Sequence, residues 1–292
     1  MKKIRQKKPF SFIPYFFMAP SIIFLLAFIT YPLMYSFFLS FTEYNYVYDE
    51  VSRFNGIMTY IELLKDETFI IALKNTMIFA ALYFFGVIVF SFIIALIINE
   101  IKIGKTVYQL AVYLPIIVPL SLAGVTFVWI LDPTFGVLNF VLKHIGIGPI
   151  SWLSNSSYAL FTLVGMKIWK FMGFSVIIFL AGLQSVPKGH YEAAEMNGAN
   201  FFQKTLYITI PEIKEYTLMA SLYQIVQAMK VFELPFVATR GGPGNATLTL
   251  YLYSWRSAFS HFDLGNAAAA AYVTAAIILV ATMAAKRVLR SE

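Results

Sequence analysis

The strongest constraint on the fold is a series of long apolar stretches that are separated by short polar segments. Stretches of about 20 apolar residues match the roughly 30 Å thickness of bilayer hydrocarbon. Because backbone groups in lipid must be hydrogen-bonded within the chain, such stretches predict helices. The predicted spans cover approximately residues 12–40, 69–98, 107–131, 158–184, 216–238 and 264–285. The sequence therefore predicts an all-α integral membrane protein with six transmembrane helices.

The composition excludes a soluble domain. Of the 292 residues, 59% are hydrophobic and 13% are charged, whereas soluble domains have about 25% charged residues. The net charge of +7 is concentrated between the apolar stretches, so we interpret it as a topology signal and expect no nucleic-acid partner. The chain has no cysteine, which excludes disulfides and thiolate metal sites.

The positions of lysine and arginine predict the orientation. If the N-terminus is cytoplasmic, the cytoplasmic segments contain thirteen of these residues and the opposite segments contain six. Short, positively charged segments stay in the cytoplasm, so both termini are predicted to be cytoplasmic. The first span has no small-residue cleavage site and is expected to be retained. The chain then divides into a basic N-terminal segment at 1–11, a membrane domain at 12–285 and a basic C-terminal segment at 286–292.

Motifs of catalysis are weak in this sequence. The run IGKT at 103–106 resembles the end of a phosphate-binding loop, but Asn99 stands where that loop requires glycine. The three histidines fall on different predicted loops or faces, and neither HExxH nor GxSxG occurs. We therefore expect no catalytic residue, no metal and no cofactor bound by this chain. An intramembrane enzyme is the alternative from a different functional class.

Ionisable and polar side chains inside the predicted spans are candidates for a substrate path, because charges in lipid are costly. Lys167 and Lys170 share one helix face, and Lys230 and Glu233 have the same spacing and could form an ion pair. The alternative is that these side chains extend to the interface or only fix helix packing. The candidates are Lys167, Trp169, Lys170, Gln224, Gln227, Lys230 and Glu233.

The polar segment at about 187–213 predicts two short helices that are separated by a break. Gly198 follows Asn197, and both residue types tolerate the left-handed conformation that ends a helix. Pro211 is expected to stop the second stretch or to begin the next helix. The first helix exposes Glu192 beside two alanines, so it is interpreted either as a docking element or as an ordinary interfacial loop.

The spacing in this segment resembles the EAA signature of membrane subunits of binding-protein-dependent ABC importers. In this chain Glu192-Ala193-Ala194 is followed by three residues, Gly198, nine residues, Ile208, one residue and Ile210-Pro211. Two positions depart from the signature, namely Ile210 in place of leucine and Asn197 in place of the aspartate common in the sugar branch. The residues that the resemblance assigns to ATPase coupling are Glu192, Ala193, Ala194, Gly198, Ile208 and Pro211.

The similarity extends over most of the chain and resembles the maltose and glycerol-phosphate type permeases, specifically the first of their two permease subunits. It is carried by stretches such as IWKFMGFSVIIFLAGLQSVPKGHYEAA and KVFELPFVATRGGPGNATLTLYLY. It implies the type I ABC importer fold in a bacterial cytoplasmic (inner) membrane. The implied partners are a second homologous permease, two cytoplasmic ATPases that hold ATP and Mg²⁺, an extracytoplasmic solute-binding protein and membrane lipid.

The substrate that the resemblance implies is a di- or oligosaccharide that is carried by alternating access. Lys167 suggests an acidic sugar as a hypothesis, because a buried cation prefers an anionic partner. The alternative within the same class is an importer subunit for glycerol phosphate, an amino acid or a peptide. The sequence does not identify the sugar.

Overall fold

A computed structural model describes residues 13–290, and the predicted basic segment at 1–11 lies outside these residues. Fourteen α-helices occur in this described part. They are α1 (Ile13–Leu25), α2 (Tyr31–Leu39), α3 (Met58–Leu63), α4 (Glu67–Glu100), α5 (Lys105–Tyr113), α6 (Leu120–Ile130), α7 (Val137–His144), α8 (Ser156–Ser185), α9 (Lys188–Met196), α10 (Phe201–Lys204), α11 (Ile210–Glu212), α12 (Lys214–Met229), α13 (Leu250–Phe259) and α14 (Leu264–Arg290).

Short segments of other helical geometry connect several of these helices. The π-helical segments are Leu26–Thr30, Thr205–Thr209 and Pro235–Thr239, and a 3₁₀ turn covers Leu114–Ile116. The only strands among residues 13–290 are β1 (Thr42–Glu43) and β2 (Arg53–Phe54), which pair in antiparallel register with Thr42 opposite Phe54. Apart from this small hairpin, the regular secondary structure of the described residues is helical, as predicted.

Four continuous helical segments are long and apolar enough to cross a membrane. They are Phe16–Leu39, Glu67–Glu100, Ser156–Ser185 and Leu264–Arg287, and they coincide with the first, second, fourth and sixth predicted spans.

The other two predicted spans are interrupted. At 107–131 the structure has two helical pieces, Lys105–Ile116 and Leu120–Ile130, which meet at 95°. Pro115 and Pro119 lie at this bend, where proline removes a backbone donor. At 216–238, α12 ends at Met229, and a short irregular segment precedes the π-helical segment 235–239.

Helix α4 defines the two ends of the bundle. The Asp66 side chain caps its first turn by accepting a hydrogen bond from the Thr68 N–H, and Asp66 also accepts one from the Tyr253 hydroxyl of α13. The other end of α4, at Glu100, borders the same cavity as residues of α9. We call the end that contains residues 187–213 the EAA end, and the end that contains α13 and the β-hairpin the far end.

The interior consists of three apolar clusters along the bundle. The central cluster joins α4, α8 and α12 and includes Phe79, Leu163 and Ala228. A second cluster at the EAA end includes Phe179 and Ile213. The third, at the far end, packs α13 against α14, where Ala267 to Ala270 are buried. Small side chains of this kind let the two helices approach closely.

Candidate functional site

Lys167 caps the broken end of α12. Its side chain is 1% exposed, and its Nζ donates hydrogen bonds to the carbonyl oxygens of Gln227 at 2.6 Å and Lys230 at 2.8 Å. The last carbonyls of a helix lack partners within the helix, and a cation is favoured there. The ammonium therefore stabilises the C-terminus of α12, at the position where the predicted fifth span is interrupted.

Aromatic rings enclose the same ammonium. The Lys167 Nζ lies 5.6 Å from the Phe79 ring centroid, 5.3 Å from that of Tyr83 and 5.9 Å from that of Phe171. At these distances the ring faces attract a cation. The two carbonyls and three rings occupy the surroundings of this charge, so the structure places the Lys167 ammonium in the helix packing and not on an open path.

Lys170 has the corresponding role at the bend between α5 and α6. Its side chain is 4% exposed, and its Nζ donates to the carbonyl oxygens of Pro115 at 2.6 Å and Ile116 at 2.7 Å. Gly173, one turn further along α8, allows the close approach, since a Cβ there would lie 2.3 Å from the Val112 carbonyl oxygen. Two lysines three residues apart on α8 thus hold the interrupted ends of two neighbouring segments.

Gln224 links three helices in the interior. Its Oε1 accepts a hydrogen bond from the Tyr83 hydroxyl of α4, and its Nε2 donates to Ser175 Oγ of α8 at 2.8 Å and to the Phe171 carbonyl at 3.3 Å. The side chain is fully buried. Like the two lysines, it is therefore engaged in holding helices together.

The remaining path candidates are more accessible. Trp169 is 38% exposed and packs edge-to-face on Phe127. Gln227 is half-buried, and Lys230 and Glu233 are exposed. The ion pairs in the described part of the chain are His190–Glu212 and Lys204–Glu195, so Lys230 and Glu233 do not form the ion pair that their spacing allows. The reason is that α12 ends at Met229, and the two residues do not share a helix.

The EAA segment forms a helical hairpin. Helix α9 ends at Met196, and Gly198 has a φ of +79°, which confirms the predicted left-handed break. Asn200 then begins α10 with a capping box that it shares with Gln203. Pro211 lies in the one-turn helix α11, just before α12 begins at Lys214. The hairpin continues into α12 with a single break at Ile213.

The coupling candidates divide between the surface and the interior of this hairpin. Glu192, Ala193, Gly198 and Pro211 are exposed, and Ala194 is half-buried. Ile208 packs on the apolar cluster at the EAA end. Met196 and Phe202 are 90% and 80% exposed at the tip. A large part of the α9 surface is therefore available to a partner.

Three polar contacts, which the sequence did not predict, join α9 to the returning segment. Lys204 Nζ lies 2.6 Å from Glu195 Oε1, and His190 Nδ1 lies 3.1 Å from Glu212 Oε1. In the third contact the Tyr191 hydroxyl lies 3.0 Å from Thr209 Oγ1. These contacts could have been predicted from the hairpin, because a turn at Gly198 brings complementary groups on its two arms together.

Among residues 13–290 no group of three or more histidine, aspartate or glutamate side chains is placed to hold a metal ion.

Comparison with known proteins gives consistent matches. The family profile described as "Binding-protein-dependent transport system inner membrane component" matches residues 88–291. The arabinooligosaccharides transport system permease protein AraP of Bacillus subtilis is 32% identical over 273 residues, which cover 92% of this chain and 86% of that protein. The sulfoquinovosyl glycerol transport system permease protein SmoG of Agrobacterium fabrum is 30% identical over 275 residues, covering 94% and 89% of the two chains.

A solved structure has the same fold. It is a bacterial alginate ABC transporter in complex with an alginate pentasaccharide-bound periplasmic protein. One of its chains superposes with a TM-score of 0.82 at 25% identity, over 96% of this chain and 94% of the other.

Proposed function

Because the chain belongs to the family of inner membrane components of binding-protein-dependent transport systems, we propose that it forms half of the translocation path of an ATP-driven oligosaccharide importer. The chain is a multi-pass membrane protein with the all-helical fold of a type I ABC importer permease. The observation that carries the proposal is the exposed α9 hairpin. Its first arm is braced to the returning segment, which leads into α12 and so connects a docking surface to the helix break at Lys230.

The relatives support a carbohydrate as the substrate. AraP and SmoG are named for arabinooligosaccharides and sulfoquinovosyl glycerol, and the solved transporter imports the acidic polysaccharide alginate. The match covers most of this chain in each case. We therefore place a di- or oligosaccharide ahead of the alternatives of glycerol phosphate, an amino acid or a peptide, and ahead of an intramembrane enzyme.

The proposed topology has six crossings in the bacterial inner membrane, with both termini in the cytoplasm. The third and fifth crossings, within the domain at 12–285, contain the bend at 117–119 and the break at 230–232 as irregular backbone. Such backbone is tolerated at membrane depth where it is buried in protein or lines a cavity. The predominance of lysine and arginine in the segments predicted to be cytoplasmic supports this orientation.

In the proposed mechanism two cytoplasmic ATPases bind ATP and Mg²⁺, and one of them grips α9 of this chain through Glu192, Ala193 and Ala194. The second permease subunit supplies the equivalent hairpin and the other half of the path. Closure of the ATPases tilts the hairpin, and the contacts across Gly198 transmit the tilt to α12. An extracytoplasmic binding protein delivers the sugar. This chain supplies no catalytic group for hydrolysis.

The proposed substrate path includes the accessible candidates Trp169, Gln227, Lys230 and Glu233. An indole ring offers a face for a sugar ring, and the charged and amide groups offer partners for hydroxyls. Lys167, Lys170 and Gln224 do not contact the sugar in this proposal. Their polar atoms bind the backbone and side chains of neighbouring helices and so fix the helices that form the path.

Glu192→Lys tests the docking role of α9. The assembled importer is reconstituted with its binding protein, and ATPase attachment, ATPase stimulation and sugar uptake are measured. We expect the ATPase to dissociate or hydrolysis to become uncoupled from uptake, because the substitution reverses the charge on the exposed face. Glu215→Lys is the matched control, because Glu215 is an exposed acid of α12 outside the hairpin. It should retain ATPase attachment, ATPase stimulation and sugar uptake. Wild-type uptake by Glu192→Lys would refute the docking role.

A further inference from the structure

A cavity of about 600 Å³ opens at the far end of the bundle, on the opposite side from the EAA hairpin. The start of α4, the π-helical segment 235–239 and α13 form its walls, and Phe236, Arg240, Trp255 and Arg256 contribute to its lining. Its volume falls within the roughly 300–1,000 Å³ of small-molecule sites. The lining combines two guanidinium groups with aromatic rings.

Arg256 shapes this cavity. It donates from Nη1 to Asn245 Oδ1 at 3.2 Å and from Nη2 to the carbonyl oxygen of Arg240. Gly241, at a φ of +79°, lets the guanidinium pack against the loop, because a Cβ there would lie 2.7 Å from Nη2. Both terminal nitrogens of Arg256 are thus engaged in holding the loop 240–245.

Arg240 lines the cavity, and its guanidinium lies over the ring of Phe236, which lines the cavity as well. The residue is exposed, and neither of the ion pairs found within residues 13–290 includes it. Its backbone has the left-handed conformation, with a φ of 48° and a ψ of 37°, at a position after a helix where glycine is the usual residue. A side chain that is kept at such a position in spite of its steric cost points to a function for the side chain.

A cluster of aromatic rings in edge-to-face and tilted contact lies beside this charge. The Trp255 ring centroid is 4.8 Å from that of Phe236 and 5.7 Å from that of Phe259. The Arg240 guanidinium lies 5.9 Å from the Phe236 centroid. Trp255 is half-buried, so packing fixes its ring while part of the indole still faces the cavity. A fixed indole and a guanidinium in one cavity match the apolar face and the acid group of an anionic sugar.

In another part of the cavity wall, the side-chain oxygen of Asn266 has no hydrogen-bond donor within residues 13–290. Burial, followed by its hydrogen bond to Asp66, raises the pKa of Tyr253, so its proton stays on the phenol and is donated to Asp66. The phenol oxygen can then only accept from Asn266 Nδ2, and this fixes the orientation of the amide. Asn266 Oδ1 is buried and has no partner among the described residues.

We propose that this cavity binds a hexuronate residue of an oligosaccharide, with Arg240 pairing with the carboxylate and Trp255 stacking on the ring. The inference rests on the proposed function and deepens it, because it assigns the recognition of acidic sugars to the outer mouth of the path. The Lys167 ammonium, the earlier candidate for this role, is enclosed by carbonyls and rings. The Asp66 carboxylate also lines the cavity, where the Tyr253 hydroxyl and the Thr68 N–H donate to it. The two guanidinium groups of Arg240 and Arg256 outnumber its charge in the lining.

The test measures binding to the assembled complex of this chain with its second permease and ATPases, in the absence of the binding protein. The probes are trigalacturonate and its carboxyl-reduced, neutral counterpart, titrated by calorimetry. We expect the wild-type complex to bind the acidic probe at least about tenfold more tightly than the neutral one. We expect Arg240→Ala to remove this preference and Arg240→Lys to retain part of it. Trp255→Ala should weaken the binding of both probes.

Arg53→Ala is the control for charge, because Arg53 is an exposed arginine at the far end outside the cavity. It should leave both affinities unchanged. Equal binding of the two probes, no binding of either, or an unchanged preference in Arg240→Ala would overturn the proposal. It would also be overturned if Arg240→Ala kept the preference but lost ATPase stimulation by the binding protein, since Arg240 would then contact that protein. Uptake and ATPase coupling in the wild-type complex test the proposed function separately.

Discussion

Replacing Lys167 with methionine tests whether its ammonium holds the end of α12. Methionine retains most of the length of the side chain and removes only the charged donor. The carbonyls of Gln227 and Lys230 then lose hydrogen bonds of 2.6 and 2.8 Å in a site where the lysine is 1% exposed. Each buried carbonyl without a donor costs about 1–3 kcal/mol. Removing a buried ammonium recovers part of this cost, so we expect a net loss of about 2–4 kcal/mol.

The stability of the assembled complex is measured by thermal unfolding, and uptake is measured in proteoliposomes. Lys167→Met should lower the unfolding temperature and reduce uptake per ATP hydrolysed, because the break at 230–232 is no longer held to α8. Lys230→Met is the matched control for stability. Its side chain is exposed and only its backbone carbonyl accepts from Lys167, so a change within about 0.5 kcal/mol is expected.

Two results would refute this reasoning. One is a Lys167→Met complex that is as stable as the wild type and transports at the same rate. The other is a complex of unchanged stability that loses uptake of a uronate oligosaccharide and retains that of its neutral counterpart, since this would make Lys167 a ligand of the substrate.

Two further changes test the packing of α8 and the bracing of the hairpin. Gly173→Ala should reduce the amount of folded protein and its thermal stability, because the new Cβ would lie 2.3 Å from the Val112 carbonyl. Gly165→Ala in the same helix has nothing within 4 Å of its Cβ and should leave stability equal or slightly higher. Glu195→Lys should weaken ATPase coupling while changing stability by at most about 1 kcal/mol. Adding Lys204→Glu should restore coupling, and failure of this double variant to do so would contradict the bracing role.

The hairpin could be predicted because its determinants are local. Asn197 and Gly198 mark a left-handed break, and the residues on both sides are helix formers. The roles of the lysines could not be predicted in the same way. Lys167 is bound by carbonyls about 60 residues away, at a break where neither glycine nor proline occupies 230–232. For Lys170, Pro115 and Pro119 do indicate a bend in the segment that it binds. The apolar run around them nevertheless matches one continuous span, so the bend was not predicted.

Similar reasoning explains the division of the path candidates. A sequence shows that a charge lies in an apolar stretch, and the cost of that charge makes it conspicuous. The partner that offsets the cost is set by tertiary packing. Lys167 and Lys170 find backbone carbonyls, whereas Lys230 lies at a helix end and stays exposed. The cost of a charge in an apolar stretch is therefore offset by a structural role for Lys167 and Lys170, and by exposure for Lys230.

These contacts determine where the proposed motion can occur. Helix α12 has 16 residues and is about 24 Å long, so a tilt of about 10° at the hairpin would move its other end by about 4 Å. However, α12 is fixed to α8 at both ends, by Tyr216 against Gly182 and by the Lys167 ammonium. Gln224 also joins both helices to Tyr83 of α4.

A displacement of α12 alone would thus disturb the packing of Tyr216 on Gly182 and break buried polar contacts at two further levels of the bundle. The lower-cost movement carries α4, α8 and α12 together, along with the α5–α6 bend that Lys170 holds. The sliding surface must then lie outside this unit. The proposed second permease subunit provides such a surface, so we infer that alternating access occurs by rocking of one permease chain against the other.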